Sequence, residues 1–210
     1  VNSYEDSNVA SVSVSQKGNV VGMGHIQFGS EPDFLDSSHS VCPDYGPPSD
    51  YPAIREFAKT VKGGTSTVME NMSELPLHIK VVESPLYPNS DEDRTSFWVK
   101  LKPILQIKPA DGLVVLLFIS DFAILQVAEE IYLKAKIKMS TAASLHHAVW
   151  IHDADLDPYG WYLTVSECNV ISYGRVRLES RIFNENQKCV MTVLQEGYIQ
   201  RRVEQEKPKM

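Results

Sequence analysis

The sequence contains little cysteine and no basic stripe. These two absences exclude some classes of metal-binding and nucleic-acid-binding protein. Its 210 residues include three cysteines, Cys42, Cys168 and Cys189, which are far apart and form no CxxC pair. This usage excludes a metal site of the CxxC kind and indicates a reducing compartment. The net charge is −7, and no basic stripe could neutralise phosphates. The composition therefore argues against a general nucleic-acid-binding protein, and no nucleic-acid partner is expected.

Several cofactor and targeting signatures are also missing. The chain has no Gly-x-Ser-x-Gly elbow, no phosphate-binding loop and no dinucleotide fingerprint, so no cofactor is expected. His146, His147 and His152 alternate between strand faces and lack an acidic residue at a matching spacing, so no zinc site is expected. The first residues, VNSYEDSN, are polar and acidic, unlike a signal peptide. Because the chain opens on Val, we expect a processed product, a fragment or an incomplete sequence.

The most informative segment that is present is an apolar run from 112 to 128, GLVVLLFISDFAILQVA, in which Asp121 is the one ionisable residue. The run is slightly short for a membrane span and Glu129 and Glu130 end it, so it indicates a core helix and no membrane span. A carboxylate in apolar surroundings costs several kcal/mol, roughly, unless it is paired, hydrogen-bonded or protonated. We therefore expect Asp121 to be a catalytic base at the inner end of a hydrophobic site.

The periodicity of the chain predicts an α+β fold. A helix that is apolar on nearly all sides must be wrapped, and a curved antiparallel sheet around a central helix, the hot-dog arrangement, does this. We expect two units: residues 1–83, an incomplete unit that lacks its helix and includes a connector, and residues 84–210, a complete one. The predicted elements are a hairpin at 8–28, a short helix at 53–61, a strand at 76–83, a strand at 96–104, the helix at 112–133, and strands at 142–152, 160–171, 174–184 and 188–199.

Two strand residues are further candidates for chemistry. In the last strand, period-2 alternation places Gln195 on an otherwise apolar face toward the helix, and Gly197 on that face leaves room for a ligand or backbone. The alternative is a structural amide bonded to a nearby loop. Ser144 shares a predicted strand face with His146 and Trp150; the alternative there is a small residue that permits close packing.

The region from about 96 to 203 resembles the second hot-dog repeat of the acyl-CoA thioesterase II (TesB-like) family, which has bacterial and peroxisomal members. The family forms are close to SDxxxL, (S/T)(L/I)DHxxWFH, xWLL, SxxARG and VxQEGxxR. Residues 4–28 more faintly resemble the end of the first repeat, so that 1–83 corresponds to its remnant. The matching segments are SDFAIL (120–125), SLHHAVWIH (144–152), GWYL (160–163), SYGR (172–175) and TVLQEGYIQR (192–201).

This resemblance implies an acyl-CoA thioesterase that releases a free fatty acid and CoA. The implied catalytic residues are Asp121, Ser144 and Gln195, with water attacking the thioester carbonyl while Asp121 accepts its proton. A homo-oligomer is expected. The tail Pro208-Lys209-Met210 is a loose variant of a peroxisomal address, so a peroxisomal location is expected, and otherwise a cytoplasmic one.

The sequence departs from the family pattern at three positions. His146 replaces an acidic residue, Val176 replaces a glycine and Lys100 replaces an arginine. The missing first helix should expose an apolar sheet face, so the alternative function is a truncated, non-catalytic hot-dog module that binds acyl-CoA or a partner subunit. A hydratase of this fold is less favoured, because the central helix carries no histidine.

Overall fold

The structure, a computed structural model, describes residues 8–28, 40–61, 72–87, 90, 93–104, 106–122, 124–153 and 155–202. The chain forms two compact units, Val1–Ser37 and Ser38–Met210. In the described part, the strands and helices are β1 (Asn8–Gln16), β2 (Asn19–Phe28), α1 (Ile54–Ala58), β3 (Leu77–Glu83), β4 (Arg94–Leu101), α2 (Gly112–Phe122), α3 (Gln126–Lys134), β5 (Met139–Ile151), β6 (Tyr162–Ser172), β7 (Arg175–Asn184) and β8 (Cys189–Arg201).

In the first unit, β1 and β2 form the antiparallel hairpin that the sequence predicts. Lys17 and Gly18 have φ of 51° and 81°, which suits the two-residue turn that joins right-twisted strands. Among residues 9–27 no apolar side chain is buried. The assignment of this hairpin to an incomplete repeat stays a prediction.

The second unit is built on an antiparallel sheet of six described strands in the order β3-β4-β6-β7-β8-β5. The predicted strands are all present. The expectation that the strand at 76–83 belongs with the hairpin is wrong, because β3 pairs with β4 from Leu77↔Leu101 to Glu83↔Ser96. The sheet therefore begins before residue 84, and β5 lies at its opposite edge.

Alternation along the strands gives the sheet two buried faces. The inner face, which packs against the helices, includes Phe97, Val99 and Leu178. The outer face holds a smaller apolar cluster that includes Trp98 and is covered by residues of the 40–51 segment. The indole Nε1 of Trp98 donates to the carbonyl oxygen of Gly46 at 3.2 Å. The 40–51 segment, predicted to be irregular, is thus fixed to the back of the sheet.

The predicted helix at 112–133 is present as α2 and α3, with a turn at 124–125 between them. The expectation that it is wrapped on all sides is wrong for α2. One side is buried at Val115, Leu116 and Ile119, whereas Val114, Leu117 and Phe118 are 65%, 38% and 42% exposed. The exposed residues follow the i, i+3, i+4 spacing of one helix face. We refer to Val114, Leu117 and Phe118 as the apolar stripe.

By length and apolarity, Gly112–Lys134 could cross a membrane, but more than half of its most apolar segment is buried inside the protein. Inner-face side chains of the sheet belong to the same core cluster as the buried side of α2 and α3. This packing is that of a core helix.

Two carboxylates of α3 are buried. Glu130 is fully buried and accepts hydrogen bonds from the Ser84 hydroxyl and, at 2.8 Å, from Gln126 Nε2. Glu129 is 7% exposed, and its Oε2 has no hydrogen-bond partner among the described residues. Burial raises the pKa of each carboxyl group to about 7. Both groups therefore bind a proton more tightly in the folded chain than in the unfolded one.

This linkage predicts how stability responds to pH. A carboxyl group whose pKa is raised by folding stabilises the folded chain most when the pH is below the usual glutamate pKa of about 4.3. This stabilisation is lost as the pH rises through about 7. Glu130→Gln should therefore stabilise the chain relative to wild type above pH 7, with the gain shrinking as the pH falls toward about 5. Urea denaturation across this range measures the difference, with Glu179→Gln on the surface of β7 as the control. A difference that does not vary with pH would contradict the assignment.

The start of α2 lies against the loop before β6. A Cβ on Gly112 would lie 2.1 Å from the carbonyl oxygen of Leu156 and 3.1 Å from its Cβ. Backbone atoms cannot yield to such an overlap as a flexible side chain can, so the glycine is required for close packing.

Gly112→Ala should therefore lower the free energy of unfolding by about 1–3 kcal/mol, the usual cost of forcing extra volume into a packed site. Chemical denaturation checks the value. Gly24→Ala is the control, since a Cβ there would meet no atom within 4 Å. Equal effects at the two glycines would show that the contact with Leu156 is not tight.

Candidate active site

Gln195 is the centre of a polar cluster on the inner face of the sheet. It lies on β8 between Leu178 of β7 and His147 of β5, and it is fully buried. Its amide Oε1 lies 2.5 Å from His147 Nδ1, and its Nε2 donates to Ser144 Oγ at 2.7 Å. The prediction that Gln195 points toward the helix side is confirmed. Both ends of the buried amide have partners, as burial requires.

A bulge in β5 brings Ser144 and His147 to the same side. Ser144 pairs with Gly197 and His146 pairs with Glu196, so Leu145 is the extra residue. Strict alternation placed Ser144 on the face of His146 and Trp150; this prediction is wrong. After the bulge, His147 returns to the inner face and flanks Gln195 together with Ser144.

The space beside Gly197 is occupied by protein. A Cβ at this glycine would lie 2.7 Å from Leu125 Cδ1 and 2.9 Å from Val176 Cγ2. The expectation that Gly197 leaves room for a ligand or backbone is therefore wrong: side chains fill the space, and the glycine lets the turn between α2 and α3 approach β8 closely. Val176, which replaces the family glycine, takes part in this packing.

The end of α2 contributes Ser120 and Asp121. Ser120 is buried; its hydroxyl donates to the Leu117 carbonyl oxygen at 2.8 Å and lies 3.1 Å from His147 Nε2. Asp121 Oδ1 lies 3.9 Å from His147 Nδ1, and the aspartate side chain is 60% exposed. The carboxylate and the Gln195 amide thus approach the same nitrogen of one imidazole ring.

The expectation that Asp121 is enclosed in an apolar environment is wrong. Asp121 lies three and four residues after Phe118 and Leu117, so it shares their exposed helix face. Solvent reaches the carboxylate directly. The structure nevertheless places it at the end of the apolar stripe and beside the ring that contacts Gln195.

We refer to Asp121, Ser144, His147 and Gln195 as the Gln195 cluster. Ser144 and Gln195 contact each other directly, whereas Asp121 lies near the ring of His147 and, among the described residues, makes no hydrogen bond to Ser144 or Gln195. Their catalytic roles stay predictions. The sequence pattern led us to consider His147 only as a metal ligand, and its contacts were missed; its position in the DHxxW-like motif was the available signal.

His146 lies on the other face of the sheet. It lines a depression there with Arg175, Arg177 and Glu196, and Arg175 forms an ion pair with Glu196 at 2.9 Å. The replacement of the family's acidic residue by His146 therefore changes the charge of the outer face and leaves the Gln195 cluster as it is.

The described side chains were compared with the groupings that bind metal ions. Among them, no group of three or more histidine, cysteine, aspartate and glutamate residues is arranged to hold a metal ion. The Gln195 cluster instead offers one carboxylate, one hydroxyl, one amide and one imidazole. These groups can accept a proton and orient a small polar molecule.

An antiparallel sheet packed on a central helical region, with this cluster between sheet and helix, defines a hot-dog protein. The model of the acyl-CoA thioesterase C-terminal domain family matches residues 48–199. The chain belongs to this family. A search of curated protein sequences found no match.

Solved structures share the fold. Acyl-CoA thioesterase II TesB2 from Mycobacterium marinum matches with a TM-score of 0.71 at 22% identity, over 94% of this chain and 70% of its own. A hot-dog protein of unknown function from Alicyclobacillus acidocaldarius matches with a TM-score of 0.65 at 17% identity, over 97% and 71%. A tesB protein from Mycobacterium avium subspecies paratuberculosis gives 0.65 at 13% identity, over 95% and 68%.

Because Gln195 is buried and Asp121 is exposed, substitutions at the two residues should change the free energy of unfolding by different amounts. Gln195→Leu removes a fully buried amide and leaves His147 Nδ1 and Ser144 without their hydrogen-bond partner, so it should lower the free energy of unfolding by about 1–3 kcal/mol. Asp121→Asn changes an exposed group and should alter it by less than about 0.5 kcal/mol. Urea denaturation of both variants measures these values. A large loss for Asp121→Asn would show that the carboxylate is structurally engaged.

Proposed function

We propose that the protein hydrolyses fatty acyl-CoA to a free fatty acid and CoA. The observation that supports the proposal is the Gln195 cluster, in which the Gln195 amide contacts both Ser144 and His147, and the Asp121 carboxylate lies 3.9 Å from the same nitrogen of His147. Membership of the thioesterase family supports the reaction type. The fatty-acyl substrate and the residue roles are part of the proposal.

The hydrogen-bond donors and acceptors of the cluster suit a reaction in which water attacks the substrate. Ser144 accepts a hydrogen bond from Gln195, which leaves its own hydrogen free, and Ser144 is exposed. Asp121 offers a solvent-accessible carboxylate that can accept a proton. In the proposed mechanism, the hydroxyl donor and the carboxylate base of this cluster hold one water molecule, and the base deprotonates it as it attacks.

In the proposed reaction, the water oxygen bonds to the thioester carbonyl carbon while Asp121 takes one of its protons. The resulting tetrahedral oxyanion re-forms the carbonyl as the carbon–sulfur bond breaks. The sulfur leaves with the bonding electron pair and receives the proton, which gives CoA thiol and a fatty acid. The overall change consumes one water and needs no oxidant, reductant or cofactor.

The apolar stripe supports a fatty-acyl substrate. Val114, Leu117 and Phe118 are exposed in the turns that precede Asp121 on the same helix face, and Leu145 of β5 is 50% exposed. An alkyl chain lying along this stripe would cover apolar surface, at about 25 cal/mol for each Å² removed from water. Its thioester end would then lie near Asp121.

The test is release of free thiol from medium- and long-chain acyl-CoAs. Asp121→Asn should lower kcat by about 10²–10⁴-fold, the usual contribution of a general base. Asp155→Asn, at an exposed aspartate in the loop after β5, is the matched control and should be unchanged. Turnover by Asp121→Asn at the wild-type rate would overturn the proposed role of the carboxylate.

The exposure of Asp121 and of the apolar stripe also favours the second candidate, a non-catalytic module that binds acyl-CoA or a partner subunit. An open apolar face suits an interaction surface as well as a substrate. Calorimetry with a non-hydrolysable acyl-CoA analogue, run beside the thiol assay, separates the two. Binding without turnover favours the module, and turnover favours the hydrolase.

The proposal also covers the oligomeric state of the chain and its location in the cell. We propose a homo-oligomer, for which β5 offers one edge that no other described strand pairs with. We also propose a peroxisomal location from the tail Pro208-Lys209-Met210, which lies outside the described residues.

A further inference from the structure

Three lysines and a histidine meet on the outer face of the sheet, at the β3 edge. His78 of β3 pairs with Lys100 of β4, Lys80 follows His78 on the same strand face, and Lys102 comes directly after β4. The strand residues between them belong to the inner core, which places these four side chains on the outer face. We refer to His78, Lys80, Lys100 and Lys102 as the basic patch. The sequence shows no basic run because these residues alternate with apolar ones on two separate strands.

Two lysines of the basic patch are held by uncharged backbone groups. Lys80 Nζ donates to the carbonyl oxygen of Tyr51 at 3.0 Å, and Lys102 Nζ donates to that of Leu75 at 2.9 Å. Among the residues that the structure describes, neither ammonium group forms an ion pair with a carboxylate. An ammonium group has three hydrogens. Each of these lysines is therefore fixed in place and keeps its charge and two donors for another partner.

The third lysine is positioned by an aromatic ring. Lys100 Nζ lies 5.8 Å from the centroid of the Trp161 ring, within reach of a cation–π contact. The His78 ring lies 6.4 Å from the same indole ring, centroid to centroid. The Glu185 carboxylate accepts from the backbone N–H of Trp161 at 3.4 Å, and in the described part of the chain it forms no ion pair with Lys100. Trp161 thus holds Lys100 beside His78 without neutralising it.

The charges of the patch are close enough to act on one another. The pKa of His78 is lowered, first by partial burial and then by the charges of Lys102, Lys100 and Lys80. Like charges at neighbouring positions of paired strands destabilise a sheet. The chain as a whole carries a net charge of −7, so this concentration of positive charge runs against its composition. An anion from outside the chain would offset the repulsion.

We propose that the basic patch binds a diphosphate group of a small molecule, with the three ammonium groups and the His78 ring as donors. Lysine binds phosphate oxygens as a compact point charge, and three lysines held around one position suit a ligand with several negative oxygens. The net charge of −7 repels a long polyanion, which favours a small one. Free pyrophosphate and a nucleoside diphosphate both carry this group.

The basic patch is separate from the Gln195 cluster. β3 and β5 lie at opposite edges of the described sheet, and the cluster lies on the inner face. The proposal therefore does not rest on the proposed function, and thiol release should not depend on the charge of the patch.

The first test is calorimetry on the full chain with pyrophosphate, ADP and adenosine, in a buffer without phosphate or divalent cations. We expect one pyrophosphate or ADP per chain with a Kd below about 1 mM, and weaker binding as NaCl is raised. Adenosine, which lacks the phosphates, should not bind. Equal affinity for the two diphosphates indicates that the phosphates alone are bound, and tighter ADP binding indicates a nucleotide; both results support the proposal.

The second test locates the ligand. Lys100→Gln and Lys80→Gln should each weaken pyrophosphate binding about tenfold, the usual effect of losing a charged hydrogen-bond partner. Lys100→Arg keeps the charge and should bind within about threefold of wild type. Lys134→Gln is the matched control, since Lys134 Nζ also donates to a backbone carbonyl, that of Ser90, at 2.8 Å but lies on α3. Circular dichroism of each variant checks that it is folded.

No binding of either diphosphate up to about 10 mM, ten times the expected limit, would overturn the proposal. So would equal binding by wild type, Lys80→Gln and Lys100→Gln, because the ligand would then lie elsewhere. If the wild-type chain binds pyrophosphate but releases no thiol from acyl-CoA, the proposed function fails and the diphosphate site stands.

Discussion

The site depends on one buried amide. Gln195 lies on the inner face of the sheet with no exposed surface, and an unpaired amide there would cost about 1–3 kcal/mol. The fold satisfies it from β5 alone, through Ser144 on one end and His147 on the other. That double contact is possible because the bulge at Leu145 lets two residues of one strand flank a single residue of its neighbour. The ring of His147 then reaches α2 and links the sheet to Asp121.

Much of the fold could be predicted from the sequence because its signals are local. Alternating strands, short hairpin turns and a long apolar helix specify the β5–β8 region and its helical partner. Long-range features were harder: β3 pairs with β4 although residues 84–93 separate the two strands in the sequence, and no local pattern encodes this pairing. The orientation of Gln195 was predictable, since Val193 and Met191, two and four residues before it, are apolar and face the core.

Two site features could not be read from periodicity. Asp121 is surrounded by apolar residues in sequence, but one face of α2 remains open, and the carboxylate lies on that face. The sequence shows which residues are apolar, not which of them another element covers. The bulge in β5 likewise reverses the facing of every later residue in the strand, so a strict two-residue period separates Ser144 from His147 when the structure joins them.

We propose that the amide of Gln195 organises a thioesterase site that uses water as the nucleophile. Its most direct test is the kcat/KM of Gln195→Leu for a long-chain acyl-CoA, measured on protein shown to be folded. We expect kcat/KM to fall about 100-fold or more, because Ser144 and His147 lose the group that orients them. Wild-type kcat/KM in this variant would contradict it.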